Sequence, residues 1–256
     1  MGVSASDLGP RLLGLCLLLP LVVMVLAGGG WLLAACLFVA FMMIAEFALL
    51  ILSERSQQAL LIVSLSALVL GSYLAMPVWF VGLLSLLAGG LVWRLSNRLS
   101  ALFCLLLIAC LSMLFALVQG PEGRALLILL ALVIAAVDSG AWLTGRLLGG
   151  PKLAPKISPG KTWSGAAGGT LAGCVAGFFA ASWLQAGPLF SLPFIFLLAL
   201  LAQTGDLLES ALKRACQKKD SSRMLPGHGG FLDRFDGYLL VVPAAVLFSG
   251  WQGVAG

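Results

Sequence analysis

Long runs of apolar residues, separated by short polar stretches, follow one another along nearly the whole chain. A helix needs about 20 apolar residues to cross a bilayer, and lipid offers no hydrogen-bond partners to backbone N–H and C=O groups. Each run therefore predicts a membrane-spanning helix. Nine spans are expected, at about residues 12–27, 30–51, 58–75, 77–93, 100–118, 124–147, 165–185, 189–208 and 232–250. The pattern predicts an all-α polytopic membrane protein.

The composition supports this prediction, because 61% of the 256 residues are hydrophobic and only 10% are charged. Such a composition excludes an ordinary soluble globular protein. Cytoplasmic segments of membrane proteins carry an excess of Lys and Arg. With a cytoplasmic amino terminus, every Lys and Arg except Arg124 lies in or beside a cytoplasmic segment. We therefore expect that orientation, and no segment has the pattern of a nucleic-acid-binding surface.

The distribution of polar residues divides the chain into two regions. Residues 1–118, about five helices, are expected to form a transmembrane scaffold. Residues 119–256, about four helices, are expected to form a catalytic region with basic cytoplasmic loops at 146–164 and 210–231. Glu46 is the main polar exception in the scaffold. It would either reach the interface, pair with a neighbouring Arg or take part in a site.

A glycine recurs at every fourth position where the seventh span begins, at Gly165, Gly169, Gly173 and Gly177. A stripe of small residues lets another helix approach closely. The stripe predicts tight packing against a neighbouring helix of the chain or against a second protomer.

Four carboxylates lie near the ends of the last two spans, in two pairs with a spacing of three residues. Asp206 and Glu209 form one pair, and Asp233 and Asp236 form the other. On a helix, residues three apart lie on the same side. Mg²⁺ prefers one or two carboxylates, retained waters and phosphate oxygens. The pairs therefore predict a metal site at the membrane surface, and the alternative is that these acids pair with Lys213, Arg214 and Arg234.

The first basic loop ends in Gly160-Lys161-Thr162, as a phosphate-binding P-loop does, but Pro155 occupies the position where that motif needs a glycine. The P-loop interpretation therefore fails. Lys152, Lys156 and Lys161 nevertheless lie on a proline-stiffened loop that leads into a helix amino terminus, which favours phosphate. The alternative is a basic membrane anchor. Thr162 or Ser164 is expected to cap the helix.

Two further polar residues are candidates for a site. His228, the only histidine, lies between glycines that permit a tight turn with backbone amides turned toward an anion. Asp138 would either bind a ligand or pair with Arg146.

One run in the second basic loop reads Ser210-x-Leu212-Lys213-Arg214-x4-Lys219-Asp220-x-Ser222-x2-Leu225-Pro226-x-His228-Gly229-Gly230-Phe231-x-Asp233-Arg234-Phe235-Asp236. This signature segment (residues 210–236) resembles the signature of phosphatidate cytidylyltransferases. The run from Lys152 to Thr162, Asp138-Ser139 and the run from Gly205 to Ser210 are also similar to that family. The resemblance covers about residues 138–237.

The resemblance implies the Mg²⁺-dependent reaction of CTP with phosphatidic acid to give CDP-diacylglycerol and pyrophosphate, in phospholipid biosynthesis. It allows one or two divalent cations and an assisting monovalent cation. It also implies a multi-pass homodimer in a bacterial cytoplasmic (inner) membrane, with the active site at the cytoplasmic surface of the bilayer.

The resemblance assigns roles to residues of this chain. The catalytic residues would be Asp206, Asp233, Asp236, Lys213, Arg214 and His228. The substrate-binding residues would be Lys156, Ser158, Lys161, Thr162, Lys219, Asp220, Arg234, Asp138 and Ser210. The metal ligands would be Asp206, Asp233, Asp236 and Glu209.

Three other functions compete with this one. A cation-coupled transporter also uses intramembrane acids, although its site tends to lie near the bilayer midplane. A CDP-alcohol phosphotransferase would need an Asp-Gly-x2-Ala-Arg core, which the sequence lacks. A different lipid nucleotidyl or phosphoryl transferase would use the same residues with another substrate.

Overall fold

The computed structural model describes residues 5–74, 78–184, 191–222, 224–227 and 229–255. Within these ranges the chain forms ten helices and one two-stranded hairpin. The helices are α1 (Ala5–Ala27), α2 (Gly29–Ile51), α3 (Arg55–Tyr73), α4 (Val78–Leu95), α5 (Arg98–Gln119), α6 (Gly123–Leu148), α7 (Trp163–Trp183), α8 (Leu192–Ala215), α9 (Leu232–Phe235) and α10 (Tyr238–Ala255). The strands are β1 (Lys152–Ala154) and β2 (Ser158–Thr162).

The prediction of a helical polytopic membrane protein is confirmed. Among the residues that the structure describes, five helices, α2, α5, α6, α7 and α8, are long and apolar enough to cross a membrane. The other long helices contain shorter apolar stretches, which are Cys16–Ala27, Arg55–Gly71, Val81–Leu95 and Tyr238–Phe248. The number of nine spans therefore stays a prediction.

The structure differs from the predicted pattern at two places. The basic loop between α6 and α7 is an antiparallel hairpin, with Lys152 opposite Thr162 and Ala154 opposite Ser158, where the sequence predicted a loop. The last predicted span, 232–250, is interrupted between α9 and α10. Asp236 lies in this interruption, and its carboxylate accepts the Gly237 N–H at 2.7 Å. Asp233 and Asp236 are therefore not two residues of one continuous helix.

The chain clusters into two compact units. The first comprises Met1–Phe115 and Leu212–Phe235, and the second comprises Ala116–Ala211 and Asp236–Gly256. Most of the signature segment thus packs with the amino-terminal helices, although it is distant from them in sequence. The core of the first unit contains fully buried aromatic side chains, among which Phe47 and Phe103 are stacked with ring centroids 5.6 Å apart.

The glycine stripe of α7 packs against α6 within the second unit. A Cβ added to Gly165 would lie 2.8 Å from the Ala141 carbonyl oxygen, and one added to Gly169 would lie 2.7 Å from that of Val137. Contacts this short leave no space for a side chain, so glycine permits the close approach of the helices. Of the two alternatives that the stripe left open, the neighbouring helix of the same chain is the observed one. This packing places the hairpin and the start of α7 beside the end of α6.

Candidate active site

The second unit brings together a lysine and an aspartate that the sequence assigned to different tasks. Lys161 on β2 and Asp206 on α8 form an ion pair with an Nζ–Oδ2 distance of 2.5 Å. Their side chains are 25% and 30% exposed, so both groups are open to solvent or a ligand. A candidate phosphate-binding cation and a candidate metal-binding anion therefore share one location. An incoming polyphosphate would meet both at once.

Thr162 and Ser164 stabilise the junction between the hairpin and α7. Thr162 is the N-cap residue of α7, and its hydroxyl accepts the Gly165 N–H at 3.1 Å. Ser164, the other candidate for the cap, instead donates its hydroxyl to the Gly149 carbonyl oxygen. The expected cap is therefore Thr162. Because this side chain is only 5% exposed, its hydroxyl serves the fold, and its role in substrate binding stays a prediction.

The predicted pair of Asp206 and Glu209 does not form one accessible surface. Asp206 is partly exposed, whereas Glu209 is fully buried. With 3.6 residues per turn, residue i+4 follows a side chain more closely than residue i+3. Accordingly the Ser210 hydroxyl lies beside Asp206, with Oγ 3.4 Å from Oδ1.

Asp233, in the first unit, is surrounded by donors from its own unit. Its Oδ1 lies 2.5 Å from the Lys213 ammonium. Its Oδ2 accepts the Ser221 N–H at 3.0 Å, the Ser221 hydroxyl at 2.8 Å and the Gly230 N–H at 2.8 Å. Burial acts to raise the pKa of Asp233, but the Lys213 hydrogen bond and charge and the Gly230 and Ser221 hydrogen bonds outweigh it, so the pKa is lowered. Asp233 is thus a charged residue that orders the loop around it.

The glycine-rich turn of the signature segment is built around this carboxylate. Leu225 and Gly229 form a bridge, and Gly227 and Gly229 have φ values of 72° and 79°, which favour glycine. A Cβ on Gly229 would lie 2.7 Å from Asp233 Oδ2. The sequence predicted backbone amides turned toward an anion, and the Gly230 amide does contact one, the Asp233 carboxylate of the same chain. His228, the predicted catalytic histidine, lies outside the described residues.

Glu46 on α2 is the polar residue whose place the sequence left open. It is fully buried, and its Oε1 accepts the Ser222 hydroxyl at 2.6 Å and the Phe231 N–H at 2.9 Å. Its Oε2 accepts the Leu232 N–H at 2.7 Å and lies 3.1 Å from the Ser221 hydroxyl. The sequence left a site role for Glu46 open among its alternatives, and it assigned no role to the two serines. The available signal was a carboxylate inside an apolar helix, which is costly unless it has specific partners.

The remaining predicted residues lie at the surface of their units. In the first unit, Arg214, Lys219, Asp220 and Arg234 are exposed, and Arg214 donates to the Lys218 carbonyl oxygen at 3.2 Å. In the second unit, Lys156 and Asp138 are exposed and Ser158 is half-buried. The sequence left open whether the predicted metal-binding acids pair with neighbouring bases instead, and Asp233 does pair with Lys213. Because the other cations are exposed, an anionic ligand can reach them from solvent.

The predicted carboxylates differ in how well they would suit a divalent cation. Among the residues the structure describes, no three His, Cys, Asp or Glu side chains form a metal-binding group. Mg²⁺ usually keeps several waters and needs only one or two carboxylates, and the partly exposed Asp206 suits this requirement. At Gly205, α8 lies close to the backbone of Asp236, since a Cβ added there would lie 2.6 Å from the Asp236 carbonyl oxygen. Asp233, in contrast, would have to give up Lys213 before it accepted a cation.

Comparison with known proteins agrees with the resemblance seen in the signature segment. The family described as "Cytidylyltransferase family" matches residues 11–250. A phosphatidate cytidylyltransferase of Brucella suis biovar 1 (strain 1330) is 48% identical over 129 residues, 50% of this chain and 47% of the relative. That of Bacillus subtilis (strain 168) is 47% identical over 117 residues, 43% of this chain and 42% of the relative. That of Staphylococcus saprophyticus is 39% identical over 160 residues, 57% and 59% of the two chains. The alignments thus cover about half the length of these relatives.

Proposed function

Since the chain belongs to the cytidylyltransferase family, we propose that it is a nucleotidyltransferase that converts CTP and phosphatidic acid to CDP-diacylglycerol and pyrophosphate. The names of the similar proteins support this substrate pair. The structural observation that carries the proposal is the partly exposed Lys161–Asp206 pair. It provides a cation for phosphate oxygens and an anion for a divalent metal at one place in the second unit.

In the proposed reaction a phosphate oxygen of phosphatidic acid attacks the α-phosphorus of CTP. The new P–O bond forms as the bond to the β-phosphate oxygen breaks, and pyrophosphate leaves with the bonding electron pair. Such phosphoryl chemistry depends on positioning and charge neutralisation more than on a protein nucleophile. Lys161 would leave Asp206 for the phosphates, with Lys156 and Ser158 beside it on the hairpin. In the first unit, the exposed Arg214, Lys219 and Arg234 are the residues proposed to bind anionic groups of the substrates.

Asp206 and Asp236 are the residues of the second unit that would hold Mg²⁺. Bound there, Mg²⁺ would neutralise the negative charge of the CTP phosphates. A monovalent cation could assist it. The Asp206 carboxylate would become available to hold the cation once Lys161, which pairs with it in the structure, has moved to phosphate. Asp233 would act mainly by keeping Lys213 and the glycine-rich turn in place.

We further propose nine membrane spans, a cytoplasmic amino terminus and an active site at the cytoplasmic surface of a bacterial inner membrane. The distribution of Lys and Arg supports this orientation. The lipid tails would lie in the bilayer while the headgroup meets CTP at the basic loops. A homodimer is proposed from the family resemblance alone.

The test is to incubate the purified, detergent-solubilised protein with CTP labelled in its α-phosphate, phosphatidic acid and Mg²⁺. Label should enter the organic phase only when both substrates are present, and EDTA should prevent it. Glu54→Gln, an exposed acid outside the site, is the matched control for acidic-residue variants. A folded protein that gives no labelled lipid with any phosphatidic acid tried would refute the proposal. Ion uptake in proteoliposomes would then test the transporter alternative.

A further inference from the structure

We propose that Glu46 is a positioning residue, whose buried carboxylate holds the signature segment in the geometry that the reaction requires. The catalytic part of this inference rests on the proposed function. The structural part, that Glu46 holds the loop, does not depend on which reaction the loop serves.

The burial of Glu46 indicates that its bonds are specific. Its side chain is completely buried in a helix of otherwise almost wholly apolar residues. A carboxylate in such surroundings is unfavourable unless hydrogen bonds compensate for the lost water. Its partners belong to the signature segment: the Ser222 hydroxyl and the N–H groups of Phe231 and Leu232 donate to it, and the Ser221 hydroxyl, whose hydrogen is shared with Asp233, lies 3.1 Å from Oε2. These partners lie 175 to 186 positions away along the chain.

The bonds of Glu46 are directly joined to those of Asp233. The Ser221 hydroxyl lies 3.1 Å from Glu46 Oε2 and 2.8 Å from Asp233 Oδ2. The consecutive N–H groups of residues 230, 231 and 232 are divided between the two carboxylates, the first donating to Asp233 and the next two to Glu46. Because Asp233 in turn binds Lys213, displacing Glu46 would disturb the predicted catalytic lysine and aspartate together.

A second contact attaches the same loop to the same helix. The Lys218 ammonium lies 3.0 Å from the Leu49 carbonyl oxygen and 3.2 Å from that of Leu50. These carbonyls belong to the last turn of α2, where they lack helical partners and where the helix dipole favours a cation. The loop thus contacts α2 through a base on the loop and an acid on the helix. The amino-terminal scaffold thereby contributes to the site.

The decisive variant is Glu46→Gln, which keeps the shape but turns an NH₂ group toward groups that are themselves donors. We expect hydrogen–deuterium exchange at residues 230–232 to rise about tenfold or more, the factor for losing one hydrogen bond to a charged group. We expect kcat to fall about 100-fold, as for a misplaced catalytic group. KM for CTP should change much less, because an interaction needed in the transition state is lost. Glu46→Asp should partly restore both properties, and Glu54→Gln should leave both unchanged.

Exchange is measured without substrate, so it decides the structural part even if the wild type makes no CDP-diacylglycerol. Wild-type exchange at 230–232 together with wild-type kcat in Glu46→Gln would overturn the proposal. If Glu46→Gln does not fold, Ser222→Ala replaces it, because it removes one donor to Oε1 without adding a polar atom. In Ser222→Ala, a smaller rise in exchange at residues 230–232 together with a smaller fall in kcat would support the proposal. A uniform rise in exchange over the whole chain, with none specific to 230–232, would refute it.

Discussion

Replacing Asp233 with asparagine would remove one charge and one acceptor oxygen from the centre of the signature segment. The wild-type carboxylate accepts four hydrogen bonds, one from Lys213 and three from Ser221 and Gly230. If the asparagine oxygen keeps the place of Oδ2, its NH₂ group points at the Lys213 ammonium. In the opposite orientation the NH₂ group takes the place of Oδ2 and faces the N–H groups of Ser221 and Gly230, which are donors themselves. The first orientation is less unfavourable because it keeps the backbone hydrogen bonds, but the ion pair with Lys213 is lost.

The free-energy cost of Asp233→Asn follows from the burial of the Lys213–Asp233 ion pair. The side chains of Lys213 and Asp233 are 12% and 6% exposed. Removing one partner of a buried ion pair costs about 3–5 kcal/mol. We take the lower end, about 3 kcal/mol, because Lys213 retains some solvent contact. Since each 1.4 kcal/mol is a factor of ten, the opening equilibrium of the loop should rise about 100-fold.

Hydrogen–deuterium exchange of the Ser221 and Gly230 amides measures this opening directly, because both donate to Asp233. Asp220→Asn is the matched control for exchange, since it removes an exposed carboxylate from the same segment. Turnover of Asp233→Asn should fall together with amide protection. Unchanged protection at both amides, together with wild-type turnover, would refute the assignment of Asp233 as the residue that orders the loop.

Three further predictions concern pH, phosphate binding and helix packing. Because the pKa of Asp233 is lowered on folding, its stabilisation should be complete above about pH 4 and be lost only as the pH falls through the lowered value. The difference in thermal unfolding between wild type and Asp233→Asn should show this, and a difference that disappears already near neutral pH would contradict it. Lys161→Met should lower kcat/KM for CTP about tenfold or more, whereas Arg55→Met, at an exposed position outside the site, should not; equal effects would exclude a specific phosphate contact. Gly169→Ala should destabilise the protein by about 1–3 kcal/mol, because its Cβ would lie 2.7 Å from a carbonyl oxygen of α6. Gly90→Ala, whose Cβ meets nothing within 4 Å, is the control in thermal unfolding, and equal stability of the two variants would contradict the packing argument.

The two lysine–aspartate pairs differ in what they permit. Lys161 and Asp206 are both partly exposed, so a phosphate and a cation can replace each partner at little desolvation cost. Lys213 and Asp233 are more deeply buried, and Asp233 has three other bonds to the loop. The first pair therefore suits exchange with ligands, whereas the second suits the maintenance of a fixed loop. We therefore expect separate tasks for two acids that look equivalent in the sequence.

The sequence by itself determined the helical membrane fold and the location of the chemistry along the chain. Apolar runs predict helices because backbone groups in lipid must bond within their own segment. The signature segment predicted the family because its spacing of charged residues and glycines is specific over 27 positions. The N-cap of α7 was also within reach, since capping depends on residues close in sequence. These features are local, and a local pattern is enough to specify them.

Only the tertiary structure decided which side chains meet. Glu46 had several alternatives in the sequence, and packing selected the hydrogen bonds to a segment 175 or more positions away. The pair of Lys161 and Asp206 likewise joins the hairpin to α8. Asp206 and Glu209, adjacent by helical spacing, were separated by burial. Helical periodicity states which side of a helix a residue occupies, but the partner on that side depends on how distant segments pack.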